Sequence, residues 1–153
     1  MRISSTLHDS IVDGPGLRYV VFTQGCPHAC ANCHNPETHD PHGGREITVE
    51  ELIQDMLKNP LLDGLTLSGG EPFAQAEDCA KIARAARAAG LNVWCYTGFT
   101  LETLREMPEA QVLLREIDVL IDGPYIHEKR SLRLKWRGSE NQRVIDLRED
   151  DTP

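Results

Sequence analysis

No apolar run in the chain approaches the roughly 18 residues that a membrane-spanning helix needs, so none is expected. The opening residues, from Met1 to Asp9, lack the apolar core of a secretory signal, which points to a cytoplasmic protein. Positive charge is scarce as well. Sixteen Lys and Arg face 24 Asp and Glu, a net charge of -8, which argues against a general nucleic-acid binder and favours solubility. There is no short-period repeat and no low-complexity linker, and 153 residues suit one compact domain spanning residues 1–153. Cysteine is limited to five, an odd number. In a cytoplasmic chain thiols stay reduced, so a disulfide framework is not expected.

Three of those five cysteines are bunched as Cys26-x-x-x-Cys30-x-x-Cys33, directly after an apolar run. Thiolates bind soft metals, which makes iron–sulfur or zinc the candidates. No fourth cysteine lies nearby, which suggests a centre with one ligand position open. Open positions are where metal chemistry takes place. Cys79 and Cys95 fall on inward-facing positions of a helix and a strand and read as small core residues.

Gly14-Pro15-Gly16, preceded by Asp9 and Asp13, marks a tight turn. Residues 17–23 are rich in β-branched and aromatic side chains and end at Gly25, which predicts a strand. A polar stretch with His39, His42 and Gly43-Gly44 reads as a long loop. Thr48 opens a helix through a capping box with Glu51, and Val49, Leu52, Ile53 and Met56 share one face before Asn59-Pro60 ends it. Strands are expected at 64–68, 91–97 and 117–121. Helices are expected at 76–89, closed by Gly90, at 100–107 and at 109–115. Beyond Tyr125 the chain turns basic, with one more strand at 144–147 and a frayed end. Trp94 and Trp136 read as packing or interface residues.

Strands alternating with helices imply right-handed βαβ units around a parallel sheet. Ligands gather at the carboxyl ends of such strands. Those ends carry the cysteine loop, Ser68-Gly69-Gly70-Glu71-Pro72, Tyr96-Thr97-Gly98 and Asp122-Gly123-Pro124. Four distinctive turns are thus expected on one rim. Asp122 reads equally well as a turn-former or a ligand contact, and His28 as a solvated loop residue.

The cysteine triplet with the Ser68-to-Pro72 turn resembles the radical S-adenosylmethionine superfamily. Within it, Asp13-Gly14-Pro15-Gly16-Leu17-Arg18 resembles the activases of glycyl-radical enzymes. The stretch from Trp136 to Arg143 is similar to the activases of anaerobic ribonucleotide reductases. One departure is Asn32, where many superfamily members carry an aromatic residue. The resemblance implies an α/β fold of the partial, incomplete parallel β/α barrel type. It implies that Cys26, Cys30 and Cys33 hold three irons of one [4Fe-4S] cluster and that S-adenosylmethionine chelates the fourth. Gly69 and Gly70 would approach its methionyl group, Glu71 would assist in binding the ammonium, and Asn32, Cys33 and His34 would pass along the adenosyl part. Reductive cleavage would give a 5′-deoxyadenosyl radical that generates the glycyl radical on anaerobic ribonucleoside-triphosphate reductase. A flavodoxin-like protein would supply the electron. Two alternatives remain at this point: an activase of another glycyl-radical enzyme such as pyruvate formate-lyase, and a non-catalytic zinc-binding module with a histidine as fourth ligand.

Overall fold

The computed structural model of the chain describes residues 1–28, 36–131 and 136–148. Cys30, Asn32, Cys33 and His34 lie outside the described residues. The described chain forms one seven-stranded sheet. Its centre is four parallel strands in the order β2 (Arg18–Thr23), β4 (Gly64–Gly69), β5 (Asn92–Tyr96) and β6 (Val119–Asp122). These match the expected strands to within two residues. β7 (Arg143–Asp146) pairs antiparallel with β6 at one edge, one residue earlier than expected.

The sequence does not announce the other edge. β1 (Arg2–Ser10) pairs antiparallel with β2, and the two-residue β3 (Arg45–Glu46) pairs with β1. Only Ile3 and Ser10 of β1 are buried. A strand with a mostly wet, polar surface gives no hydrophobic alternation to read.

Between the strands run α1 (Val49–Leu57), α2 (Ala76–Ala88), α3 (Leu101–Arg105) and α4 (Gln111–Leu114). Thr48 Oγ1 accepts the Glu51 amide at 3.1 Å, and Thr100 Oγ1 accepts that of Thr103 at 3.3 Å. These side chains start α1 and α3 by satisfying orphan amides of the first turn. Gly90, at φ +83°, closes α2 in the left-handed conformation expected of a glycine stop. The helix expected at 109–115 begins instead with a 3-10 turn at Pro108–Ala110, because proline suits a first turn and cannot donate to one.

Side chains alternate across a strand. Tyr19, Val21, Leu65, Leu67, Val93, Cys95 and Leu120 therefore join Leu52, Met56, Cys79, Ile82, Ala83 and Leu104 in the core beneath the helices. Truncating one of these, for example Leu52→Ala, costs about 2–5 kcal/mol. The opposite face carries Arg18, Val20, Thr66, Trp94 and Ile121, also buried. None of these five belongs to the core cluster beneath the described helices. The β1–β2 connection lies against that face, with Thr66 Oγ1 donating to Asp13 O at 2.7 Å and Arg18 Nη1 to Pro15 O at 2.9 Å.

Candidate active site

The carboxyl ends of β2, β4, β5 and β6 border one cavity of about 370 Å³. Cys26 and His28 reach it from β2, Ser68, Gly69 and Gly70 from β4, Tyr96, Thr97 and Gly98 from β5, and Gly123 from β6. The expected convergence of four turns is therefore present. Val12 and Asp13 line the same cavity from the β1–β2 connection, and Trp136, Arg137, Gly138 and Gln142 from the far side.

Cys26, the one of the three expected cluster cysteines that lies among the described residues, is half-buried, and its amide donates to His39 O at 3.2 Å. The turn after β4 packs tightly under it. The Gly70 amide donates to Thr23 O and the Glu71 amide to Gly25 O, both at 2.8 Å. A Cβ on Gly70 would lie 2.8 Å from the Gly25 carbonyl carbon and 3.0 Å from Thr38 O. A Cβ on Gly69, which sits at φ +92°, would lie 2.5 Å from Thr23 N. Only glycine permits this approach of two backbones.

Glu71 is placed differently from Gly69 and Gly70. Its side chain is fully buried and does not line the cavity. Both carboxylate oxygens are taken by donors of the chain itself. Oε1 accepts from His28 Nε2 at 2.6 Å and the Gly98 amide at 2.8 Å, Oε2 accepts from the Phe73 amide at 3.1 Å, and Thr97 Oγ1 lies 2.9 Å from both. His28 is accordingly not the solvated residue that its loop position suggested. Its side chain is 17% exposed and its ring packs edge-on against Phe99, centroids 4.5 Å apart. No local pattern could reveal this, because its partner lies 43 residues away.

Asp122 answers the question left open for it. It is fully buried, accepts the Leu101 amide at 2.8 Å, and is gripped by Arg143, whose Nε donates to Oδ1 at 3.0 Å. It caps α3 and anchors β7, and it does not line the cavity. Hydrogen bonds to Asp122 and Glu102 hold the Arg143 guanidinium above its ordinary range.

The far wall is a compact turn. Gln142 Oε1 accepts the Gly138 and Ser139 amides at 2.8 and 3.1 Å, while its Nε2 donates to Gly123 O at 3.1 Å. Asn141 Nδ2 donates to Pro124 O at 2.7 Å. Trp136 sits at φ +70°, a conformation bulky residues rarely adopt. Its ring meets Trp94 edge-on at 5.7 Å, and Trp94 in turn lies 5.5 Å from the Arg18 guanidinium. Both tryptophans pack, as expected. Burial pulls the Arg18 pKa down to about 10, against the opposing pull of Tyr96, Asp63, Asp118 and Asp13. Arg18 remains charged at neutral pH and donates to Thr66 Oγ1 and Leu65 O.

A cysteine at the carboxyl rim of a parallel sheet, beside a glycine cradle, defines an α/β protein whose candidate site lies at the strand ends. Residues 12–145 match the family described as a 4Fe-4S single cluster domain. The chain is 37% identical over 140 residues to the anaerobic ribonucleoside-triphosphate reductase-activating protein of Vibrio cholerae, covering 86% of this chain and 89% of that one. It is 42% identical over 153 residues to the pyruvate formate-lyase 1-activating enzyme of Escherichia coli, covering 95% of this chain and 60% of that one. In fold it is similar to QueE from Escherichia coli, with a TM-score of 0.50 at 16% identity, over 79% of this chain and 69% of that one. The chain belongs to the radical S-adenosylmethionine activases of glycyl-radical enzymes, the family its motifs resemble.

Proposed function

We propose that this protein cleaves S-adenosylmethionine at a [4Fe-4S] cluster and so generates the glycyl radical of an anaerobic ribonucleoside-triphosphate reductase. The observation that carries this reading is the single cavity onto which Cys26, the Gly69-Gly70 cradle and the turns after β5 and β6 all open. A thiolate donor and a side-chain-free backbone suit a cluster with one iron free for a small chelating ligand. His39 Nε2, buried without a partner among the described residues beside a second cavity that Cys26 also borders, adds a polar atom free to face an added group.

Cys26, Cys30 and Cys33 would hold the cluster. Gly69 and Gly70 would let backbone groups approach the methionyl part, and Asn32, Cys33 and His34 would pass along the adenosyl part. When bound, cluster and cosubstrate together supply the 5′-deoxyadenosyl radical that takes a hydrogen atom from a glycine of the partner. The rest falls to the chain: Trp136 and the turn held by Gln142 wall one side of the cavity, and Val12 and Asp13 line another. Among the described residues the sheet ends at β3 on one side and at β7 on the other. That openness supports a partial β/α barrel, within a single domain over residues 1–153, whose mouth a partner's glycine loop enters. A flavodoxin-like donor in the cytoplasm would reduce the cluster.

The relative from Vibrio cholerae is matched along nearly its whole length, which favours the reductase as partner over pyruvate formate-lyase. Anaerobic reconstitution with iron and sulfide, followed by assay for 5′-deoxyadenosine and spin resonance with each candidate partner, tests the reading. A glycyl signal is expected with the reductase. A signal with pyruvate formate-lyase alone would reassign the partner. One zinc per chain without acid-labile sulfide would overturn the enzyme altogether.

A further inference from the structure

The Ser-Gly-Gly-Glu-Pro turn contributes one acidic side chain, and acidity beside a cosubstrate that carries an ammonium group suggests direct contact. The geometry points elsewhere. Glu71 is fully buried, and its two carboxylate oxygens already share four donors of the chain, one of them the Thr97 hydroxyl that lies between them. The donors come from three separate turns: His28 between Cys26 and Cys30, Phe73 after β4, and Thr97 and Gly98 after β5. The His28 ring nitrogen Nε2 and Glu71 Oε1 are 2.6 Å apart, within hydrogen-bond distance.

Two further neighbours fit closely around His28. Phe99 packs against the ring, and a Cβ on Gly98 would lie 2.7 Å from His28 Nε2. The Glu71 amide donates to Gly25 O, so the same residue holds the cysteine loop by backbone on one side and by carboxylate on the other. A fourth turn joins through Phe99, whose carbonyl accepts the Gly123 amide at 2.9 Å.

We propose that Glu71 is a positioning residue: it sets the segment from Gly25 to His28 through His28 and makes no contact with S-adenosylmethionine. This deepens the proposed function and rests on it, since it supposes that the loop carries the cluster. Charged hydrogen bonds in a buried site are strong, and two groups in one such network are energetically coupled.

A double-mutant cycle separates positioning from direct contact. S-adenosylmethionine binding is measured by equilibrium dialysis on the anaerobically reconstituted protein and on the Glu71→Gln, His28→Leu and doubly substituted variants. His28→Leu leaves Phe73, Thr97 and Gly98 in place around Glu71, so the turn retains its other supports. Each single variant is expected to weaken binding about tenfold, and the double variant no more than the weaker single, a coupling of about 1.4 kcal/mol. His28→Gln, whose amide can donate to Glu71, is expected to bind within about threefold of the parent. The proposal is overturned if Glu71→Gln loses binding while His28→Leu binds normally, or if the two losses multiply in the double variant.

A second readout needs neither cluster nor cosubstrate. In the cluster-free chain, deuterium uptake by the peptide spanning residues 24–28 should rise at least about threefold in both single variants. Unchanged uptake overturns the positioning role even if the parent binds S-adenosylmethionine. A parent that holds a cluster yet binds no S-adenosylmethionine overturns the proposed function, and the uptake measurement then decides the positioning role alone.

Discussion

Gly70→Ala tests how closely the glycine cradle is fitted. The added Cβ would meet backbone, not a flexible side chain: the Gly25 carbonyl carbon at 2.8 Å and Thr38 O at 3.0 Å, with Gly25 O nearer still. Backbone cannot swing aside, so the β4 turn and the cysteine segment must part. Overpacking of this kind costs about 1–3 kcal/mol. Parting them also stretches the bond from the Glu71 amide to Gly25 O, worth about 1 kcal/mol net. The expected loss is therefore about 2–4 kcal/mol, a large share of the roughly 5–15 kcal/mol that holds a domain together. It corresponds to a fall in Tm of about 4–16 °C for a chain of this size. Gly90→Ala is the control, because nothing lies within 4 Å of its Cβ and only the left-handed backbone at φ +83° resists it. That conformation alone costs about 1–2 kcal/mol. Anaerobic urea denaturation of both cluster-free variants, with iron content after reconstitution, gives the comparison. Gly70→Ala should lose more stability than Gly90→Ala and should also take up less iron. A loss below about 0.5 kcal/mol with full iron content would refute the close fit.

Three further outcomes are expected. For Asp55, burial works to raise the carboxyl, but hydrogen bonds from Tyr19 and His8 outweigh it and hold the pKa below its ordinary value. A depressed carboxyl adds stability above about pH 4 that is lost as pH falls through the folded value. Tyr19→Phe should thus cost about 1–2 kcal/mol at pH 7 and markedly less near pH 3; a penalty unchanged between these pH values in denaturant titrations would refute it. Burial, reinforced by the negative charge of Glu71, pushes the Cys79 and Cys95 thiols well above their ordinary range. A brief iodoacetamide pulse at pH 8 on the folded, cluster-free chain should label Cys26 and spare both, and equal labelling by mass spectrometry would show the core to be open. Cys30→Ala should abolish S-adenosylmethionine cleavage and most bound iron, while Cys79→Ala should lose about 1 kcal/mol of stability and keep both; equal loss of iron would mean that ligands and core thiols were wrongly divided.

The parallel centre was legible because its strands are short runs of β-branched and apolar residues, each stopped by glycine. Gly25, Gly69, Gly98 and Gly123 stand where the chain leaves the sheet, and the rim they mark is the site. Caps at Thr48 and Thr100 were legible for a similar reason: the signal and its effect lie within four residues. What escaped notice was long-range. β1 is polar along most of its length and is a strand only because β2 and β3 lie beside it. Glu71, read as a ligand contact, has its oxygens filled by residues 2, 26, 27 and 43 positions away. His28 and Asp122 changed meaning once Glu71 and Arg143 were found against them. The far wall was recognised as a motif, Trp136 to Arg143, but its part in closing the cavity depends on Gln142 bridging to Gly123.

The cavity is built from chain that emerges at very different times during synthesis. The thiolate, the glycine cradle and the bridging carboxylate are all present once translation has passed Gly98. The opposing wall exists only after Trp136 to Gln142 have followed. A chain ending just short of that turn would carry the candidate cluster cysteines and the glycine cradle but none of the residues that face them from the far wall.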